Sequence, residues 1–355
     1  CAWVSAMPPA GELLMKRKQW LYSLIFVLLI GLTVFTICSQ SASFTREGFW
    51  EYVRAAHPAG LAAAALCTLL YILLEGLALL TICRALGYRR SVGQGVLYSA
   101  ADIYFSAITP SATGGQPASA VLMMRSGIPA APTAVALLIN LVLYTLSILL
   151  MAAAGLALHP GLLKLFGPAS RILIWVGAGT QVALLAGLTL LIFHEPIFLR
   201  LADWALKIGH KLHLIRDIES RKQKYAELRD DYQQCSGALR GQWKLILLSF
   251  VFNLAQRLAI VLSPVCVYLA EGGNRARTGE AFAAQTMVIL GSNAVPLPGS
   301  VGVADYLFLD GYRSLAQSPV LLELLSRAIS FYSCVVLCGA LLLVYAAKRK
   351  LSKER

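Results

Sequence analysis

Charged residues are scarce in this chain: Asp, Glu, Lys and Arg together make up 14% of its 355 residues. A soluble domain carries about 25%. With 58% hydrophobic residues and a mean hydropathy of +0.68, the balance excludes a water-soluble globule and implies a polytopic membrane protein. The short motifs of catalysis are missing too. No GxSxG elbow, HExxH or His/Cys cluster occurs, so no catalytic residue is assigned and no metal site or cofactor is expected. His210 and His213 sit in a basic segment and read as solvated. No CxxC occurs among the eight cysteines. Cys334 and Cys338 stand one helical turn apart without the further ligands zinc needs. All the cysteines read as small apolar residues, and no structural disulfide is expected. Acidic residues number 18 against 31 basic ones, for a net charge of +13. The excess lies in short runs beside apolar segments, such as Lys16-Arg17-Lys18, Arg89-Arg90 and Lys348-Arg349-Lys350. That placement orients helices and meets anionic lipid at the cytoplasmic surface; no nucleic-acid partner is expected.

Apolar runs of spanning length, by contrast, are abundant. A transmembrane helix needs about 20 mostly apolar residues. Six stretches qualify: 21–38, 61–86, 131–158, 172–193, 245–270 and 320–347. Two further apolar regions, about 92–126 and 281–314, are each long enough for two half-helices and too short for two full spans. They are predicted to be re-entrant hairpins. The expected fold class is therefore an all-α polytopic membrane protein of about six spanning helices and two opposed hairpins. Residues 15–355 form one integral membrane domain, with 1–14 an N-terminal extension. The basic runs place both termini in the cytoplasm. They place segment 194–244, with ten Lys/Arg against seven Asp/Glu, on the same side as a set of amphipathic helices. In this topology the hairpins enter from opposite faces, the arrangement an inverted repeat produces. Segment 44–57, with Phe44, Phe49, Trp50 and Tyr52 among charged residues, reads as an interfacial helix on the outer side.

Both hairpin regions are broken by proline and glycine. The first break runs Thr109-Pro110-Ser111-Ala112-Thr113-Gly114-Gly115-Gln116-Pro117, the second Asn293-Ala294-Val295-Pro296-Leu297-Pro298-Gly299-Ser300-Val301-Gly302. Neither can be continuous helix. Backbone freed at membrane depth is tolerated only inside protein or beside a wet cavity, and paired breaks in two halves of a chain point to a transport site. Gly114, Gly115 and Gln116 in the first break, with Gly299 and Gly302 in the second, offer amides at half-helix starts. There the helix dipole favours an anion.

Ionisable side chains inside apolar segments are functional candidates because they are costly. They are Glu75, Asp102, Arg257, Asp305, Glu323 and Arg327. Arg257 offers a fork for a phosphate or an ion pair with Glu75, Asp102 or Glu323. Arg327 follows Glu323 by four positions and either pairs with it along the helix or faces a cavity. Asp102 and Asp305 flank the two breaks. They read as partners for a cationic group, a proton or Arg257, or as caps on freed amides.

The two long breaks, together with Met124-Arg125-Ser126-Gly127 and Arg327-Ala328-Ile329-Ser330-Phe331-Tyr332, resemble the bacterial lysylphosphatidylglycerol synthase transmembrane family. This is the flippase part of the multiple peptide resistance factor. The resemblance runs from Met15 to the C-terminus, with Asp305 standing where the family has Glu, the same charge on a shorter arm. It implies a multi-pass protein of the bacterial plasma membrane, linked to aminoacylated phosphatidylglycerol and to resistance against cationic antimicrobial peptides. Full-length members add a soluble domain that transfers lysine from lysyl-tRNA to the lipid. Here 348–355 follow the last helix directly, so such a lysyltransferase is expected to be a separate partner.

The expected activity is phospholipid translocation. Arg257 and Arg327 would take the headgroup phosphate, with Asp102, Asp305 or Glu75 balancing charge. Three alternatives remain: a phosphatidylglycerol lysyltransferase completed by another domain, a carrier of polyprenyl phosphate or glycolipid, and a membrane scaffold that transports nothing. For the topology, cysteines introduced as Ser220→Cys and Ser352→Cys should react with a membrane-impermeant maleimide only after the cytoplasmic face is opened. Labelling of either from outside intact cells would overturn it.

Overall fold

The computed structural model describes residues 46–109, 112–193, 237–239, 241–293 and 302–353. The expected first span 21–38, the extension 1–14, nearly all of segment 194–244 and the centre of the second break, with Gly299, lie outside the described residues.

The elements are α1 (Arg46–Ala55), α2 (Pro58–Ala85), α3 (Val92–Ile108), α4 (Gly115–Arg125), α5 (Ala130–Leu158) and α6 (Pro168–Phe193). They continue as α7 (Trp243–Ala270), α8 (Thr278–Ser292), α9 (Val303–Tyr312), α10 (Pro319–Arg327) and α11 (Ser333–Lys353). No strand occurs among the described residues. Five helical stretches are long and apolar enough to cross a membrane: Pro58–Ala85, Ala130–Leu158, Pro168–Leu191, Trp243–Ala270 and Pro319–Arg349. They coincide with five of the runs read from the sequence. The last joins α10 and α11 through a π-helical turn, Ala328–Tyr332.

Small residues let the central pair approach closely. Gly60 of α2 lies against Ala270 of α7, with no room for a further methyl group. Ser263 donates to the Ala64 carbonyl at 3.1 Å and Ser249 to the Ala78 carbonyl at 2.9 Å. These pairings run in opposite senses along the chain, so α2 and α7 are antiparallel. In lipid, where helices gain nothing from hiding apolar surface from one another, such close packing and interhelical hydrogen bonds hold them together.

α3 turns back beside α2. Its start is fixed by a capping box, in which the Ser91 hydroxyl accepts from Gln94 N–H and the Gln94 side chain accepts from Ser91 N–H. Gly95 packs on Gly76 and Ser99 donates to the Ile72 carbonyl at 2.8 Å. α4 folds back along α3, with Gly115 against Asp102 near the tip and Tyr98 bonded to Ser126 near the base. α8 and α9 form a second hairpin, in which Tyr312 reaches the carbonyl of Ala281 at 2.9 Å. Its core is the stacked pair Phe308 and Tyr312, 4.1 Å between ring centres. Asp310 accepts from Gly167 N–H at 2.6 Å and from the Ser170 hydroxyl, so α9 caps the start of α6.

The four hairpin helices have 17, 11, 15 and 10 residues. At 1.5 Å per residue they reach about 15–26 Å, short of the roughly 30 Å of a hydrocarbon core. The base of the first hairpin adjoins the end of α2, and that of the second follows the end of α7. Because α2 and α7 are antiparallel, the hairpins enter the bundle from opposite ends.

The aromatic segment read as interfacial is α1, and its Tyr52 faces Glu271, the residue that ends α7. Partial burial pushes the Glu271 carboxyl up from 4.5 to about 7, against the lowering effect of the Tyr52 hydrogen bond. Between those values the folded protein holds a proton the unfolded chain has released, so stability is lost as pH rises through the window. The purified protein should therefore melt at a slightly higher temperature near about pH 5 than near about pH 8. Glu271→Gln should remove that difference.

Candidate functional site

α7 carries Asn253, Gln256 and Arg257 on its buried side. Asn253 ties α7 to α5 by donating to Asn140 Oδ1 at 3.1 Å. Arg257 is 6% exposed, and its guanidinium lies over the Tyr144 ring at 4.1 Å and the Tyr71 ring at 5.2 Å. Its Nε donates to Gln256 Oε1 at 3.3 Å. No carboxylate forms an ion pair with it among the described residues. The two aromatic faces stabilise the cation by about 0.5–2 kcal/mol each without neutralising it. Its charge stays available.

Arg327 differs. Its Nε contacts Asp305 and lies 2.9 Å from Glu323 Oε1, with all three side chains buried. One cation thus stands between two buried carboxyl groups. Arg327 faces the same cavity as Arg257 and stands there as the centre of an ion triad, which includes the pairing with Glu323 that the sequence offered as its alternative. Asp305 has a second task, accepting the Gly302 N–H at 2.8 Å. The end of the second break is thus fastened both to α9 and to the last span. Gly302 has φ +86°, a conformation that suits glycine.

The first break is fastened through Asp102. Gln116 Nε2 donates to Asp102 Oδ2 at 3.3 Å, and Gly115 presses so closely on Asp102 and Ser106 that a Cβ would overlap both. The Gly114 N–H is taken by Thr109 Oγ1 at 2.9 Å. Both the Gly114 and Gly302 amides are therefore answered within the protein. Glu75 of α2 is 7% exposed and lies beside Asp102.

These side chains line two adjoining cavities of about 440 and 430 Å³. Arg257, Glu323 and Arg327 face the first, Glu75, Asp102 and Gln116 the second, and Tyr71, Tyr144, Ser106, Ala112 and Asn293 face both. Ala112 of the first break and Asn293, where the second break begins at the end of α8, both reach this space. Four interruptions of regular helix surround the first cavity: the two breaks, Pro264 inside α7 and the π turn at Ser330 and Phe331. Pro264 has no N–H for the Ile260 carbonyl, and the π turn leaves the Ile329 carbonyl to Thr68 and Ser333 hydroxyls.

Three features were not read from the sequence. Tyr71 and Tyr144 cradle Arg257. Tyr71 precedes Glu75 by four residues on one face of α2, a spacing that could have revealed it. Gln181, 4% exposed, turns an unpartnered Oε1 toward the second cavity. The π turn has no sequence signal that we can identify.

The family model for the lysylphosphatidylglycerol synthase TM region matches residues 19–338. No curated protein and no solved structure matches the chain.

The contrast between the two arginines can be tested by stability. Arg327→Leu strands two buried carboxylates and should cost about 3–5 kcal/mol. Arg257→Leu strands none and should cost about 1–3 kcal/mol. Thermal melts of the purified variants in detergent should rank Arg327→Leu clearly below Arg257→Leu; the reverse order would refute the assignment.

Proposed function

The chain belongs to the lysylphosphatidylglycerol synthase transmembrane-region family, and on that premise we propose that it moves a phospholipid between the leaflets of a bacterial plasma membrane, with lysylphosphatidylglycerol the preferred cargo. The observation that carries the reading is Arg257, a buried cation facing a cavity with no carboxylate partner among the described residues. A guanidinium so placed suits a phosphodiester, which accepts two parallel hydrogen bonds. Small-molecule sites run to about 300–1,000 Å³, so cavities of about 440 and 430 Å³ suit a headgroup and not a whole lipid. The acyl chains would stay in the bilayer.

In this reading the phosphate meets Arg257 while the lysyl ammonium groups meet Glu75 and Asp102 on the neighbouring wall. The opposed hairpins would open the cavity to one leaflet at a time. Carrying a cationic lipid outward would weaken the negative surface potential that attracts cationic peptides, which links the activity to peptide resistance.

Purified protein in liposomes should speed exchange of fluorescent lysylphosphatidylglycerol between leaflets, and Arg257→Gln should slow it by about tenfold to a hundredfold. A panel including phosphatidylglycerol and a polyprenyl phosphate identifies the cargo. Lysyl-lipid formation from charged tRNA by this chain alone, with no lipid movement, would replace the reading with a transferase.

A further inference from the structure

Glu75 and Asp102 make a pair that binding of the phosphate does not explain. Their carboxyl groups sit together across the α2–α3 contact and line the second cavity. Glu75 is 7% exposed, and its Oε2 has no hydrogen-bond partner. Neither carboxylate takes part in an ion pair among the described residues. Facing Glu75 are Asp102 from α3, Arg257 from α7 and Cys338 from α11, with Tyr71 one turn away on α2. Asp102 is further met by Ser106 and Gln116. Asn140 and Tyr144 of α5 and Gln181 of α6 complete the wall. Two carboxyl groups cannot both be anionic in contact in so dry a place, and a proton held between them removes the repulsion.

We propose that the Glu75–Asp102 pair is a proton-exchange site, which holds a proton when the cavity is empty and releases it when a cationic headgroup enters. The proposal rests on the lipid-transport reading and names its coupling ion. A lysylphosphatidylglycerol headgroup carries one phosphate and two ammonium groups, a net single positive charge. Its entry with departure of one proton leaves the buried charge unchanged, which is the least costly occupancy in a low dielectric. Competition of ammonium and proton for the same oxygens makes the two move in opposite directions. Phosphatidylglycerol, an anion without ammonium, displaces nothing.

The test uses the purified full chain in weakly buffered detergent with a pH-sensitive dye. Short-chain lysylphosphatidylglycerol should release about one proton per lipid bound, while phosphatidylglycerol releases none. Glu75→Gln and Asp102→Asn, each checked by its melting profile, should abolish the release. In liposomes, acidifying the compartment toward which the lipid moves should raise its rate several-fold, and a sodium gradient should have no effect. Lipid binding without proton release, or movement driven by sodium, overturns the exchange and leaves the transport reading standing. Failure of lysylphosphatidylglycerol to bind or move overturns both.

Discussion

A bilayer offers no hydrogen bonds, so each polar group that this chain carries below the headgroups has to be answered by another part of the chain or turned to an internal cavity. Most of the architecture follows from that demand. The hairpin breaks cannot be left to lipid, and their amides are met from nearby, Gly114 by Thr109 and Gly302 by Asp305. Serine and threonine hydroxyls reach carbonyls of facing helices, as Ser99 does at Ile72 and Thr68 at Ile329. Arg327 is answered by two carboxylates, one on the hairpin and one on its own helix. Groups that must be satisfied internally draw their partners together, and the start of α9 ends up beside the last span.

The sequence made the helices legible because spanning segments announce themselves by length and apolarity. Five of the expected spans are present as such, and each broken region holds two short helices. Burial of the ionisable residues was legible as well, since the cost of charge in lipid forces Glu75, Arg257, Glu323 and Arg327 inward. Pairing was not. The contact between Asp305 and Arg327 joins elements that no periodicity relates, and the Glu323–Arg327 spacing suggested only part of that group. Nor was Arg257's aromatic setting visible. Tyr71 and Tyr144 look like ordinary apolar filling until the fold brings α2, α5 and α7 around one point.

The two arginines show how the same side chain can be spent in different ways. Arg327, held between two carboxyl groups, has its donors engaged and serves to fasten the second break to the last helix. Arg257 rests between neutral rings. An aromatic face lowers the cost of burying the cation but accepts none of its charge, so the field of Arg257 still reaches into the cavity. A site meant to receive an anion and then release it needs the second arrangement. A resident carboxylate would compete with the arriving phosphate for the same donors.

The interruptions of helix around the cavity share a consequence for motion. Regular spans resist bending because every turn is bonded to the next, whereas Pro264 and the π turn each lack part of that ladder. With the two breaks they ring the place where a headgroup would sit. The Ile260 carbonyl, left without an N–H by Pro264, supplies polarity without charge, and the missing helix bonds at Pro264 and the π turn make these positions the cheapest places for α7 and the last span to flex. Polar lining and hinge are then one device. A chain that must hold a polar group at membrane depth is least stiff where its helices are interrupted, so the same four places set both the polarity of the cavity and the compliance of its walls.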